Sequence, residues 1–321
     1  MRITNNLIIS KFSRSLNRSA INLSDATERV SSGRKFSRAS QNPADAMKSF
    51  KIRQGLSRIE LYQSNINDVT GQLDQAETAL MDIYNIIVQA KENLIQSSNG
   101  TMSEGNRATV ASIFENLRDQ IFKLGNTSFA GRYIFGGPNT TELPFSIQSG
   151  KLFYNGTDVD DPSVSTEEIF VDMGLGLTLD STGELQKSTA FSISTPGSIA
   201  LGHGIDQDGL PNNIYNLLGN IAADLKNDDM TMIDRYIEKL TESADNVMVS
   251  VAGIGEKIKF VEFINDRLDT DKLNLQKKQG DLEYENYAEA LIEYNGAEFT
   301  YTAAMKMGAK IIQKSLLDFL Q

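Results

Sequence analysis

Apolar residues recur at strict seven-residue steps from Ile52 through Ile59, Ile66, Leu73, Leu80, Ile87 and Leu94, and Tyr62, Val69, Ala76, Ile83 and Ala90 fill the offset three residues on. That 4-3 alternation is the signature of one face of a long α-helix, not of a strand. Asn42-Pro43-Ala44-Asp45 supplies its start, with Asn as cap, Pro at the first helical position and an acid in the first turn. Ser97-Ser98-Asn99-Gly100 supplies its stop. Such a helix is about 80 Å long at the usual rise per residue. The slots flanking the stripe hold Gln63, Thr70, Asn65 and Gln72, and few charges. This points to burial among several helices, with Ile59, Ile66, Leu73, Leu80, Ile87 and Leu94 as the rod seam.

A second helix is predicted from about Glu104, on Val110, Phe114, Leu117, Ile121 and Leu124, ending at Gly125. The texture then becomes β-like, with runs at 151–154 and 169–173 and a turn at Asn155-Gly156. Helical rhythm returns over 214–225, and Ile233, Ile237, Leu240, Ala244, Val247, Val251, Ile254, Ile258 and Val261 keep a second unbroken 4-3 line. Leu268, Leu275 and Leu282 continue it while alternate slots turn polar at Asn265, Lys272, Gln279 and Asn286. The termini carry thinner lines: Ile9, Leu16, Leu23 and Val30 at one end, and Leu291, Met305, Ile312 and Phe319, interrupted by Glu298, at the other.

Neither thin line buries enough area alone, and isolated amphipathic helices are marginal in water. Both ends are therefore expected to be poorly ordered in the monomer and to pair as helices when subunits stack. The fold class is mainly α with an inserted small β-rich domain, on a long antiparallel helical rod made from both ends of the chain. The expected division is an N-terminal assembly segment at 1–42, rod helices at 43–137, a β-rich outer domain at 138–210, rod helices at 211–280 and a C-terminal assembly helix at 281–321.

Composition narrows the chemistry. The 321 residues include no Cys, no Trp and one His, which removes thiol catalysis, disulfides, Cys-type zinc sites and His-rich metal clusters. His203 lies in Gly202-His203-Gly204 without a nucleophile or acid partner, a turn context. The Gly204–Tyr215 stretch resembles a calcium loop at Asp206, Asp208 and Gly209, but Tyr215 stands where a bidentate acid is needed, so an Asp-Gly turn is the better reading. Gly174-Leu175-Gly176 lacks the rest of a dinucleotide fingerprint. No catalytic, cofactor-binding or metal residues are assigned, and an enzyme is not expected.

Charge is laid unevenly, with a net −11 overall. Residues 1–60 hold 12 Lys and Arg against Asp25, Glu28, Asp45 and Glu60, so a basic arm begins an acidic chain. Such an arm can bind nucleic acid or anionic lipid, or dock on acidic surfaces of its own neighbours; self-association is favoured. The C-terminal tyrosines Tyr284, Tyr287, Tyr294 and Tyr301 sit among Glu283, Glu285, Glu289 and Glu293, a setting that repels nucleic acid. No run is long and apolar enough for membrane insertion, and none resembles a cleavable signal peptide.

Several motifs together resemble a known family. Met1-Arg2-Ile3-Thr4-Asn5-Asn6, then Ser31-Ser32-Gly33-Arg34-Lys35-Phe36-Ser37-Arg38-Ala39-Ser40-Gln41-Asn42-Pro43-Ala44-Asp45-Ala46, are similar to the N-terminal region of bacterial flagellins and their junction relatives. Gly125-Asn126-Thr127 leading to Gly131-Arg132-Tyr133-Ile134-Phe135-Gly136-Gly137 resembles that family's exit from rod to outer domain. The Gly-Arg-Tyr-Ile-Phe-Gly-Gly form, the modest length and the ending Gln313-Lys314-Ser315-Leu316-Leu317-Asp318-Phe319-Leu320 look more like the junction branch than filament subunits. The likeness spans residues 1–137 and 214–321. Ser40-Gln41 departs from it, since acids often precede the Asn/Asp-Pro step in the family.

The resemblance implies a structural subunit in the ring between flagellar hook and filament. It implies export unfolded through the flagellar apparatus without a cleaved signal, an extracellular location on the flagellum, and a cytosolic export chaperone covering the C-terminal stripe beforehand. The partners implied are copies of itself and neighbouring junction, hook or filament subunits. The candidate assembly interface is Ile9, Leu16, Leu23, Val30, Arg34 and Arg38 at the N-terminal end, and Leu291, Met305, Ile312, Leu316 and Phe319 at the C-terminal end. The alternatives are a filament subunit and an adhesin-like surface protein that uses its middle domain.

Overall fold

The computed structural model describes residues 2–98, 104–176, 182–183 and 191–317; the side chains of 2–6, 104 and 310–317 lie outside that description. In chain order the elements are α1 (Arg2–Ser32), α2 (Pro43–Ser97), α3 (Glu104–Gly125), β1 (Ser128–Phe129), β2 (Arg132–Tyr133), β3 (Phe145–Gln148), β4 (Lys151–Tyr154), β5 (Thr157–Asp158), β6 (Phe170–Val171), β7 (Phe191–Ser192), α4 (Gly197–Ala200), α5 (Ile214–Lys226), α6 (Ile233–Glu283) and α7 (Tyr287–Leu317). The protein is mainly α with small antiparallel sheets inserted between α3 and α5. The chain forms two compact units, 59–268 and the combined ends 1–58 with 269–321.

In the unit 59–268 the seven-residue seam is the core. Ile59, Ile66, Leu73, Leu80, Ile87 and Leu94 are all buried, and so are the offset residues Val69, Ala76, Ile83 and Ala90. α3 packs on α5, burying Phe114, Leu117 and Ile121 of one and Leu217, Leu218, Ile221 and Leu225 of the other. The start of α5 is set by Asn213, whose side-chain oxygen accepts from the amides of Tyr215 (3.0 Å) and Asn216 (3.4 Å). Those donors would otherwise be unpaired in the first helical turn.

The strands form three separate antiparallel sheets, β1–β2, β3–β4–β5 and β6–β7. Two-residue hairpins at Ala130-Gly131, Ser149-Gly150 and Asn155-Gly156 place both central residues at positive φ, the geometry whose twist matches paired strands. The turn expected at Asn155-Gly156 is one of these, and β4 occupies 151–154 as the pattern predicts. Of the expected 169–173 run only Phe170 and Val171 pair, with Ser192 and Phe191 opposite.

Residues 138–210 pack into the same unit as α3 and α5. Asn126, just past α3, accepts from the Phe145 amide (2.9 Å) and donates to its carbonyl (3.0 Å). The Tyr154 hydroxyl donates to the Phe135 carbonyl at 2.8 Å, and burial pushes its pKa up to about 12. Tyr154→Phe is expected to cost about 1–2 kcal/mol, because it leaves a buried carbonyl unpaired; urea unfolding followed by circular dichroism measures it.

The loop read as an Asp-Gly turn is one. Asp206 Oδ1 accepts from the amides of Asp208 (3.0 Å) and Leu210 (2.8 Å), and Oδ2 lies 3.4 Å from Lys239. His203 Nδ1 sits 3.0 Å from the Ser198 carbonyl in the preceding helix α4.

Candidate assembly interface

The unit made from the two chain ends is built around helix α1 packed antiparallel on α7. On α1 the positions turned away from solvent include Phe12, Leu16, Ser19, Leu23, Ala26 and Val30; on α7 they include Ala290, Tyr294, Ala297, Tyr301, Ala304 and Gly308. Both sets follow the same 4-3 spacing, so each helix offers one stripe to the other. The alternating alanines of α7 and Gly308 let α1 approach closely. Phe12 lies where a side chain at 308 would go. Gly308→Val is therefore expected to pry α1 from α7 at that end, read as faster amide exchange in both helices.

The helices break together at one place. The turn after α1 and the break between α6 and α7 form an antiparallel bridge, Arg34 opposite Tyr284. The Lys35 amide donates to the Glu283 carbonyl (2.8 Å) and the Glu285 amide to the Gly33 carbonyl (3.0 Å). Gly33, at φ +64°, makes the sharp exit from α1. Asn42 then caps α2, accepting from the Asp45 amide (3.2 Å) and donating to its carboxylate (2.8 Å), as the Asn-Pro start predicts.

Glu283 sits under this bridge, 2% exposed. Its carboxylate takes a forked pair from Arg53, at 2.9 Å from Nε and 2.7 Å from the terminal nitrogen, with further bonds from Ser49 and from Gln279 (3.2 Å). Hydrogen bonding from Arg53 outweighs desolvation and holds the carboxyl at about 2, well below its ordinary value. Because the folded value lies below the unfolded one, the contact stabilises fully at neutral pH. Its contribution is lost as pH falls from about 4.5 toward 2. Loosening of the α1–α7 pair across that window is the expected outcome in an acid titration followed by amide exchange, with Glu283→Gln flattening the profile. Across α7, Arg29 of α1 pairs with Glu285 (3.7 Å) and Glu293.

This unit is short of interior and rich in uncovered apolar surface. Among its described residues only Ala26 and Ala290 are buried apolar side chains, whereas Ile21, Met47, Phe50, Leu273, Tyr287, Ile292, Phe299 and Met307 are exposed. Ile292 and Phe299 are 72% and 77% exposed. Monomeric proteins rarely leave so many large apolar groups open; a set of this kind marks an interaction surface.

The residues expected from sequence divide within it. Leu16, Leu23 and Val30 are half-buried in the α1–α7 seam, while Ile9 is exposed. Leu291 and Met305 lie one residue off the stripe that α7 gives to α1, and both are exposed. The side chains of Arg34 and Arg38 are exposed. Ile312 and Leu316 fall on α7 outside the described side chains, and Phe319 outside the described residues. Sequence reasoning missed Glu283, Arg53 and Ser49; its only available signal was the polar break in the α6 stripe at Gln279 and Asn286. Among the described residues no cluster of His, Asp or Glu could hold a metal, and no helix is long and apolar enough to cross a membrane.

A helical pair built from the chain ends, an inserted β-rich segment and a run of open apolar side chains are the features of a structural, interaction-bearing protein. The comparisons agree in kind: the bacterial flagellin N-terminal helical region matches residues 3–140, and over most of its length the chain is similar to structural proteins of the bacterial flagellum. Within that class it is similar to flagellar hook-associated protein 3 of Escherichia coli K12, 26% identical over 290 residues covering 87% of this chain and 86% of that protein. The Salmonella typhimurium protein of the same name is 26% identical over 263 residues, 78% of each chain. A solved structure of hook-associated protein 3 from Legionella pneumophila shares the fold, with a TM-score of 0.56 at 16% identity over 71% of this chain and 98% of that one.

Proposed function

We propose that this chain is the subunit that joins hook to filament, assembling as a ring through its terminal helices. The observation that carries the reading is the terminal unit itself, whose described residues include two buried apolar side chains and a surface of open ones. Folding and stacking are then coupled, since the apolar area that stabilises α1 and α7 is covered only when neighbours arrive. Its partners are copies of itself and hook or filament subunits. Ile9, Leu291 and Met305 extend the open surface, and Ile312, Leu316 and Phe319 are assigned to the same interface from the sequence. Arg34 and Arg38 supply charge contacts to acidic neighbours. Before assembly the chain is exported unfolded through the flagellar apparatus, and a cytosolic chaperone covers the C-terminal stripe.

The test is to mix purified protein with hook fragments and with filament fragments and to view the products by negative-stain electron microscopy. Short collars on hook ends without further growth are the expected result. Long filaments would make the chain a filament subunit, and no association with either would overturn the junction reading.

A further inference from the structure

The reading above leaves open what orients the terminal helix pair, and four features of the helix break bear on it. First, both chain connections to that pair cross at one level, at 33–42 and 284–286. Second, among the described residues of the α1–α7 pair only Ala26 and Ala290 are buried apolar side chains, so those residues supply no apolar core to set its orientation on the start of α2 and the end of α6. Third, Glu283 meets the α1–α2 turn, α2 and its own helix α6 at once. Its carbonyl accepts from the Lys35 amide in the turn, its carboxylate is gripped by Ser49 and Arg53 of α2, and Gln279 on its own helix completes the set. Fourth, Lys35 Nζ caps the Asp281 carbonyl at 2.8 Å, one turn from the same point. Polar ties thus stand where a core would stand in an ordinary domain. A buried charge with a forked partner is strongly directional, which a pair of exposed helices otherwise lacks.

We propose that Glu283 is a positioning residue for assembly: by tying the α1–α2 turn to α2 and α6, it holds the α1–α7 pair in the one orientation that presents its open apolar face to neighbouring subunits. This rests on the junction reading. The tie contributes no interface area of its own, so its loss changes where the pair points and leaves α1 and α7 helical.

Full-length wild type, Glu283→Gln and Arg53→Met would be compared by limited proteolysis with mass mapping of the fragments and by collar counts on hook ends, with circular dichroism as the fold control. Both variants should keep their helical signal. They should be cleaved within 33–42 and 284–286 roughly tenfold faster, as expected when a local tie is lost, and should form far fewer collars. Wild-type cleavage and wild-type collar numbers in both variants would overturn the proposal. So would faster cleavage with undiminished collars, because the tie would then hold the chain without positioning it. Absence of collars from the wild type is a separate result that overturns the junction reading itself.

Discussion

Changing Ile292 and Phe299 together to Ser is expected to abolish assembly on hook ends while leaving the folded monomer untouched. The two side chains lie seven residues apart on α7 and are 72% and 77% exposed, so removing them takes almost nothing from the isolated chain. In an assembly that covers them, each contributes roughly 1.5–3 kcal/mol of apolar burial. Losing both weakens each subunit contact by about 3–6 kcal/mol, between about a hundredfold and about ten-thousandfold. Repeated around a ring, that ends assembly at working concentrations. Circular dichroism and melting of the variant should overlay the wild type, and the collar count should fall to background. Normal collars would place the assembly surface elsewhere.

The opposite response is expected from Leu80→Ala. Leu80 is fully buried in the seam of α2 within the unit 59–268. Its truncation removes apolar contacts and leaves a cavity that close-packed neighbours fill poorly, costing about 3 kcal/mol. A unit of this size loses about 2–4 °C of Tm per kcal/mol, so its transition should fall by about 6–12 °C. At temperatures well below that transition collar formation should persist. The two variants together separate apolar residues spent on folding from apolar residues held for neighbours. An unchanged Tm in Leu80→Ala would mean that the α2 seam does not carry the stability of its unit.

The pairing of chain ends explains how much of this was legible. The α1 line read from sequence is the one that faces α7 at Leu16, Leu23 and Val30, where the side chains are half-buried. The α7 line at Leu291 and Met305 is offset by one residue from the stripe that actually faces α1. A search for bulky apolar periodicity passes over Ala290, Tyr294, Ala297, Tyr301, Ala304 and Gly308, because close helix approach is made by what is small as well as by what is hydrophobic. Glu283 was equally out of reach, having been read only as one of the acids around the C-terminal tyrosines that repel nucleic acid. Its partners, Ser49 and Arg53, lie more than 200 residues away in sequence.

By itself the sequence determined the starts and ends of α2, α3 and α5, the seam of α2, the hairpin at Asn155-Gly156 and the family likeness. All of these depend on local spacing, capping and turn chemistry, which act over a few residues along the chain. Only the tertiary structure decided which stripe of α7 meets α1, that residues 138–210 share a unit with α3 and α5, and that one buried carboxylate gathers the turn, α2 and α6. Those choices depend on residues far apart in the chain competing for the same contacts, and packing geometry settles such competition where periodicity cannot.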